Sequence, residues 1–251
     1  MSELVTTRRD GHVLVVEMRR EEKRNAVNRE LALGIDAALN ELDDDADLWV
    51  GVLTGTPKVF SAGTDLSGGE SSGTERGGAY GIIQRDRHTP LIAAVEGPAL
   101  GGGLEIVLAC DMVVASTTAR FGLPEVTRGV LPTCAALFRG PRAIPVNVAR
   151  ELIFTGVPID ADRAYELGLA NRVTEPGKAV DVALELARQI CENAPLSVQA
   201  CLRAVNGVLA ADDELGWQAT RDALSAIQGT HDMSEGVQAF FERRKPEWTG
   251  R

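Results

Sequence analysis

The chain has 251 residues, enough to bury a full hydrophobic core as one large domain or two. Hydrophobic residues make up 44% of it and charged residues 25%, the balance of an ordinary globular protein. The net charge of −10 excludes sequence-independent nucleic-acid binding, which needs a basic face, but leaves room for an anionic small ligand held by a few local donors.

Residues 12–18, "HVLVVEM", read as a short strand, and residues 20–28 as a polar turn ending on Asn28, a helix N-cap. Residues 29–45 then carry apolar residues at helical spacing. Residues 48–55 are a buried strand, and residues 59–66, "VFSAGTDL", a strand running into a tight turn at Ala62-Gly63. The Gly/Ser-rich stretch 67–81 is the least core-like part of the chain and reads as a mobile loop, either a solvated connection or a lid beside a site. Residues 90–100 form one more buried strand, followed by Gly101-Gly102-Gly103, a short helix, and a strand "MVVAS" after Asp111. Residues 119–125 are a short extended piece and turn, and from about residue 146 the chain turns helical to its end. Strand–helix alternation early and helices late predict an α/β fold with substantially parallel pairing.

Cys110, Cys134, Cys191 and Cys201 show neither C-x-x-C nor metal-ligand spacing, and with only His12, His88 and His231 beside them no metal site is expected. Such isolated cysteines are expected as reduced core residues of a cytoplasmic protein. The first twenty residues lack a signal-peptide apolar region, and no apolar run approaches the roughly 18 residues of a membrane span. A soluble protein with no membrane partner is expected.

Three consecutive glycines at a helix start need a reason, since glycine loses more entropy on folding than any other residue. A dinucleotide fingerprint fails, because Ile106 stands where the third glycine would permit close helix–strand packing. A nucleophile elbow fails as well: there is no G-x-S-x-G and no well-placed histidine, leaving Ser61 a strand-end hydroxyl. Tight packing alone remains open. The reading with chemistry in it is an anion hole, in which side-chain-free N–H groups let a reacting carbonyl approach, with a second donor from the "SAGTD" turn. Glu105, directly after the glycines, and Glu125, after "FGLP", then make a candidate general acid/base pair.

These segments resemble the enoyl-CoA hydratase/isomerase, or crotonase, superfamily. "FSAGTDL" looks like its first oxyanion segment, "PLIAAVEGPALGGGLE" its second, and "FGLPEVTRGVLP" its second-glutamate loop, in order over roughly residues 10–250. "ELIFTGVPIDADRAYELGLANRV" and the tail "FFERRKPEWTGR" are similar to the stretches that follow. The resemblance implies a crotonase-like spiral of ββα units over residues 1–190 that binds acyl-CoA. It also implies a C-terminal helical region, residues 191–251, that packs trimers or hexamers and completes the CoA site. The thioester oxygen would accept from the N–H groups of Thr64 and Gly102. Arg24, Ala62, Gly63, Asp65, Leu66, Gly101, Phe240 and Arg243 match positions around the bound acyl-CoA. Coenzyme A is then part of the substrate, and no separate cofactor is implied.

With both glutamates in place, the resemblance implies hydration of a 2-enoyl-CoA, Glu105 acting on the water and Glu125 supplying a proton to C2. Isomerases commonly keep only the glutamate matching Glu125. Ala135-Ala136, beside Cys134, stand where many hydratases carry Gly-Gly, which bears on the acyl group accepted. Isomerisation, dehydration of an unusual acyl-CoA, thioester hydrolysis and acyl-CoA binding without turnover are the alternatives.

Overall fold

The computed structural model describes residues 4–67 and 72–250. Its first two strands, β1 (Val5–Asp10) and β2 (Val13–Met18), form an antiparallel hairpin turned at Gly11, whose φ is +58°. The sequence reading finds β2 and misses β1, whose Thr-Thr-Arg-Arg run lacks the apolar pattern of a core strand because it lies at the sheet edge. Helix α1 (Arg29–Asp44) starts as expected at Asn28, whose side chain accepts the Leu31 N–H at 2.9 Å. Its Leu31, Ile35 and Leu39 are fully buried on one face, each contributing roughly 1.5–3 kcal/mol relative to exposure.

After β3 (Val50–Thr54), the strand expected at 59–66 is present only as isolated bridges, Thr56 to Val59, Ser61 to Ala99 and Val27 to Thr64. A two-stranded hairpin, β4 (Gly73–Thr74) and β5 (Gly78–Ala79), occupies the stretch expected as a mobile loop. Residues 68–71 of that stretch lie outside the described residues. The hairpin leads inward: Tyr80, Ile82 and Ile83 are buried, so its end is core and not a solvated connection.

The single strand expected at 90–100 is two. β6 (Leu91–Val95) and β7 (Pro98–Leu100) are separated at Glu96-Gly97, where Gly97 takes a φ of +63° that redirects the chain into a second sheet. Helix α2 (Gly102–Leu108) follows, then β8 (Met112–Ser116), β9 (Arg120–Gly122) and a short 3-10 turn, Pro124–Arg128. Helix α3 (Ala136–Ala143), absent from the sequence reading because it contains Gly140-Pro141, precedes α4 (Val146–Thr155). Then come β10 (Ile159–Asp160), α5 (Ala161–Glu166), β11 (Arg172–Thr174) and α6 (Ala179–Cys191). Helices α7 (Pro195–Leu209), α8 (Asp213–Ile227) and α9 (His231–Glu242) close the chain.

The main sheet has the order β1-β2-β3-β6-β8-β11, parallel except for the β1–β2 hairpin. A smaller sheet orders β10-β9-β7, extended at Ala99 by the parallel bridge to Ser61. Successive units thus place one strand in each sheet before turning into a helix, as in β6–β7–α2. The main sheet is covered on both faces, which is why its strands read as apolar runs. Val13, Val15, Val50 and Val52 pack against Ala183 and Ala187 of α6, while Leu14, Val16 and Leu53 face the larger core with α1. Among the described residues, no helix is long and apolar enough to cross a membrane.

Candidate active site

The turn Ser61–Asp65 is held from below by the turn that precedes α1. Asn25, fully buried with φ +50°, donates from its amide to the carbonyls of Val59 and Phe60 at 3.1 and 3.0 Å. Its own carbonyl accepts the Ser61 hydroxyl at 2.8 Å, and that oxygen accepts the Gly63 N–H at 3.1 Å. Backbone bonds Ala62 N–H to Arg24 O, Val27 N–H to Gly63 O and Asp65 N–H to Val27 O lace the two turns together. The Asp65 carboxylate turns inward to Arg20, 2.6 Å away, and to Ser67; these two hold its pKa down to about 2, Ser67 with the larger effect. Leu66 is 40% exposed.

Against this turn lies the start of α2. A Cβ on Gly63, whose φ is +87°, would sit 2.6 Å from the Gly102 nitrogen, so the two backbones are in contact only because glycine is there. Gly101 takes φ +56° and ψ −126°, angles that side chains resist. Among the described residues, neither the Thr64 N–H nor the Gly102 N–H has an acceptor. Two donors on touching segments are therefore left open, the kind of pair that can stabilise an oxyanion.

Both glutamates border this place. Glu105, 2% exposed, reaches the start of α3, where its Oε1 accepts the N–H groups of Cys134 at 2.7 Å and Ala136 at 3.1 Å. Burial raises its pKa to about 7, the charge of Glu125 adding to the rise and the two N–H bonds opposing it. Glu125 stands in the 3-10 turn after Pro124; burial raises its pKa to about 7 as well, opposed by its own backbone N–H and by Arg128. Its Oε2 is buried without a hydrogen-bond partner among the described residues, an orphaned acceptor. Carboxyls that titrate near neutrality can hold or release a proton at working pH, as acid/base chemistry requires.

The structure thus brings Thr64, Gly101, Gly102, Glu105 and Glu125 together, with Ala62 and Gly63 in the same turn. Arg24 and Arg243 have exposed side chains that meet no carboxylate among the described residues. Phe240, on α9, lies under the Arg128 guanidinium at 4.6 Å, and Gly236 of α9 packs on the Arg128 backbone, where a Cβ would not fit. Helix α9 is in this way braced against the turn that carries Glu125. Among the described residues, no three His, Cys, Asp or Glu side chains gather as a metal site.

Sequence reasoning missed three contributors. Asn25 reads as one polar residue in a polar turn. The Cys134 and Ala136 N–H groups are invisible in a side-chain alphabet. Tyr80 lies in a stretch read as loop, and its only signal is an aromatic set in "GGAYG".

The collinear match extends to a family model, enoyl-CoA hydratase/isomerase, which covers residues 8–251. The chain belongs to the enoyl-CoA hydratase/isomerase family. Its fold is that of the crotonase superfamily, as the resemblance implied. A curated relative, the short-chain-enoyl-CoA hydratase of Clostridium acetobutylicum, is 35% identical over 97% of this chain and 96% of its own. A carnitinyl-CoA dehydratase of Salmonella arizonae is 34% identical over the whole of both chains. The crystal structure of carnitinyl-CoA hydratase from Mycobacterium avium matches with a TM-score of 0.94 at 38% identity, covering 100% of each chain.

Proposed function

We propose that this family member catalyses the reversible hydration of a 2-enoyl-CoA thioester to the 3-hydroxyacyl-CoA. The observation that carries the reading is a pair of buried carboxyls, both raised to about 7, beside two open backbone donors. The Thr64 and Gly102 N–H groups bind the thioester oxygen and draw electron density from C3. Water adds there, its proton passing to the Glu105 carboxylate, while Glu125 in its acid form delivers a proton to C2. The hydroxyl of water ends on C3 and the proton from Glu125 on C2; Glu105 is left protonated and Glu125 ionised, and passage of a proton from the first to the second through water restores the starting state. Dehydration runs the same steps backward with the two roles exchanged. Each positioned proton transfer contributes roughly 10²–10⁴-fold.

Ala62, Gly63, Asp65 and Leu66 line the approach of the CoA moiety, with Arg24 and Arg243 as charges for its phosphates and Phe240 as a surface for its adenine. Coenzyme A enters as part of the substrate. Residues 191–251 serve assembly: α7 buries none of its side chains, and Leu196, Val205, Val208, Leu209 and Leu215 present an apolar surface that a homotrimer or a pair of trimers would cover. All four cysteines are unpaired, which suits a reducing compartment such as the cytoplasm.

The test is the loss of enoyl-thioester absorbance on mixing the protein with crotonyl-CoA, followed by longer, branched and polar enoyl-CoAs. Turnover that disappears in Glu105→Gln supports the reading; full turnover in both Glu105→Gln and Glu125→Gln overturns it. The match to a carnitinyl-CoA dehydratase favours a second reading, in which the preferred acyl group is polar and dehydration is the useful direction. The substrate series decides between the two.

A further inference from the structure

Tyr80 has no part in the chemistry above, yet the fold takes pains to place it. It is 3% exposed, and its φ of +58° lies in a region that bulky residues adopt only where their surroundings dictate it. Those surroundings are specific. Gly78 and Gly81 on either side share the positive φ, and Gly81 is pressed onto the α1 backbone at Ala32 and Asp36. The Asp36 carboxylate accepts the Thr74 hydroxyl at 2.8 Å and pairs with Arg85, whose side chain is 1% exposed and also reaches Asn40. The loop is fastened to α1 before and after Tyr80, and the ring is driven inward.

What the ring meets is the oxyanion pair. Its Oη lies 2.6 Å from Thr64 Oγ1. Its hydroxyl end lies against Gly102 so closely that a Cβ there would be 2.5 Å from Oη and 2.8 Å from Cε2 and Cζ. One side chain therefore touches both residues whose N–H groups are open, and it adjoins Cys134, whose N–H holds Glu105.

We infer that Tyr80 is a positioning residue that sets the relative placement of the Thr64 and Gly102 N–H donors. The inference rests on the oxyanion reading under Proposed function. Thr64 is exposed on a turn, and among the described residues the bond to the phenol is the one side-chain hydrogen bond it makes. The ring fixes Gly102 from the same side, so the two donors keep their spacing before any ligand arrives. Donors stabilise developing charge most when they need no reorganisation at the moment of reaction. This also gives Gly102 a second reason to be glycine, since any side chain would expel the phenol.

The decisive variants are Tyr80→Phe, which keeps the ring and removes Oη, and Thr64→Val, which removes the partner hydroxyl and keeps the N–H. The readouts are the infrared carbonyl shift of bound, isotope-labelled butyryl-CoA and the separate kcat and KM for crotonyl-CoA. The expected result is a diminished carbonyl shift in each variant, with kcat about ten- to a hundred-fold lower and KM changed far less. The double variant should be no worse than either single one, because all three lack the same bond. If Tyr80→Phe fails to fold, judged by its thermal unfolding, Thr64→Val decides alone. No carbonyl shift in the unaltered protein would sink the oxyanion reading itself. A normal shift retained in folded Tyr80→Phe and Thr64→Val would overturn the role of Tyr80 and leave that reading standing.

Discussion

Gly101 and Glu125 are fitted to each other: a Cβ on the glycine would lie 2.9 Å from the glutamate Oε1. The absence of a side chain at residue 101 is thus what gives the Glu125 carboxyl its seat. Gly101→Ala faces both this collision and a φ of +56° with ψ −126°, a backbone cost of order 1–3 kcal/mol. The expected outcome is a folded protein with a lower Tm and a kcat reduced about 10²-fold, the order of losing one positioned proton transfer. Thermal unfolding and steady-state rates measured on one preparation check both halves.

Exchanging either of the two carboxyls proposed as acid and base should stabilise the protein while inactivating it. Burial raises the Glu105 and Glu125 carboxyls to about 7 in the folded protein, above the ordinary range of a glutamate in an unfolded chain. Between the ordinary value and the raised one the folded state holds more protons than the unfolded state, so stability falls as pH rises through that window and stays lower above it. Glu105→Gln is spared this loss. It should be more stable than the unaltered protein at about pH 8, by an order of 2–3 kcal/mol, with the gap closing near pH 5. Denaturant unfolding at the two pH values measures it; a gap independent of pH would contradict the assignment.

The rate of the unaltered protein should follow a bell around neutrality. One carboxyl must be ionised and the other protonated, and with both near 7 the productive combination is most populated there. The two limbs belong to the pair and not to either residue. Each single Gln variant should lose one limb from its residual activity, which a pH profile of kcat/KM reads directly.

Asn25→Ala should destabilise the fold by about 2–4 kcal/mol, because it strands the buried carbonyl of Phe60, leaves the Arg20 N–H without its side-chain acceptor and puts alanine at a positive φ. Its effect on kcat should exceed that of an equally destabilising core truncation such as Leu39→Ala, since the Asn25 side chain also holds the Phe60 carbonyl directly before Ser61 and the Thr64 turn. Comparing the two variants at a temperature where both are folded separates the site effect from the general one.

Much of the site was readable because its signals are local. A glycine run before Glu105 announces an unusual backbone without any knowledge of its neighbours, and Glu125 follows a proline that fixes its turn. The resemblance then supplied order and roles. What stayed hidden depends on partners far along the chain: Asn25 acts on residues 59–61, and Tyr80 on Thr64 and Gly102. In the fold, apolar strands buried on both faces were legible, and the polar edge strand β1 was not. The reading of 90–100 as one strand failed at Gly97, where an unbroken apolar pattern conceals a change of sheet. Ala135 is a related case, an alanine at φ +83° where glycine would be free, at a cost of about 1–2 kcal/mol.

The bracing of α9 against Arg128 has a temporal side. Chains leave the ribosome N-terminus first, and early segments can fold while later ones are still being made. Both sheets, Glu105 and the Thr64 turn are complete in a nascent chain that ends before residue 231. The turn holding Glu125 then still lacks the helix whose Gly236 lies on it. On the proposed reading, such a chain has its two backbone donors in place while its second carboxyl stays unsupported until α9 emerges, so the oxyanion site is completed before the acid/base pair.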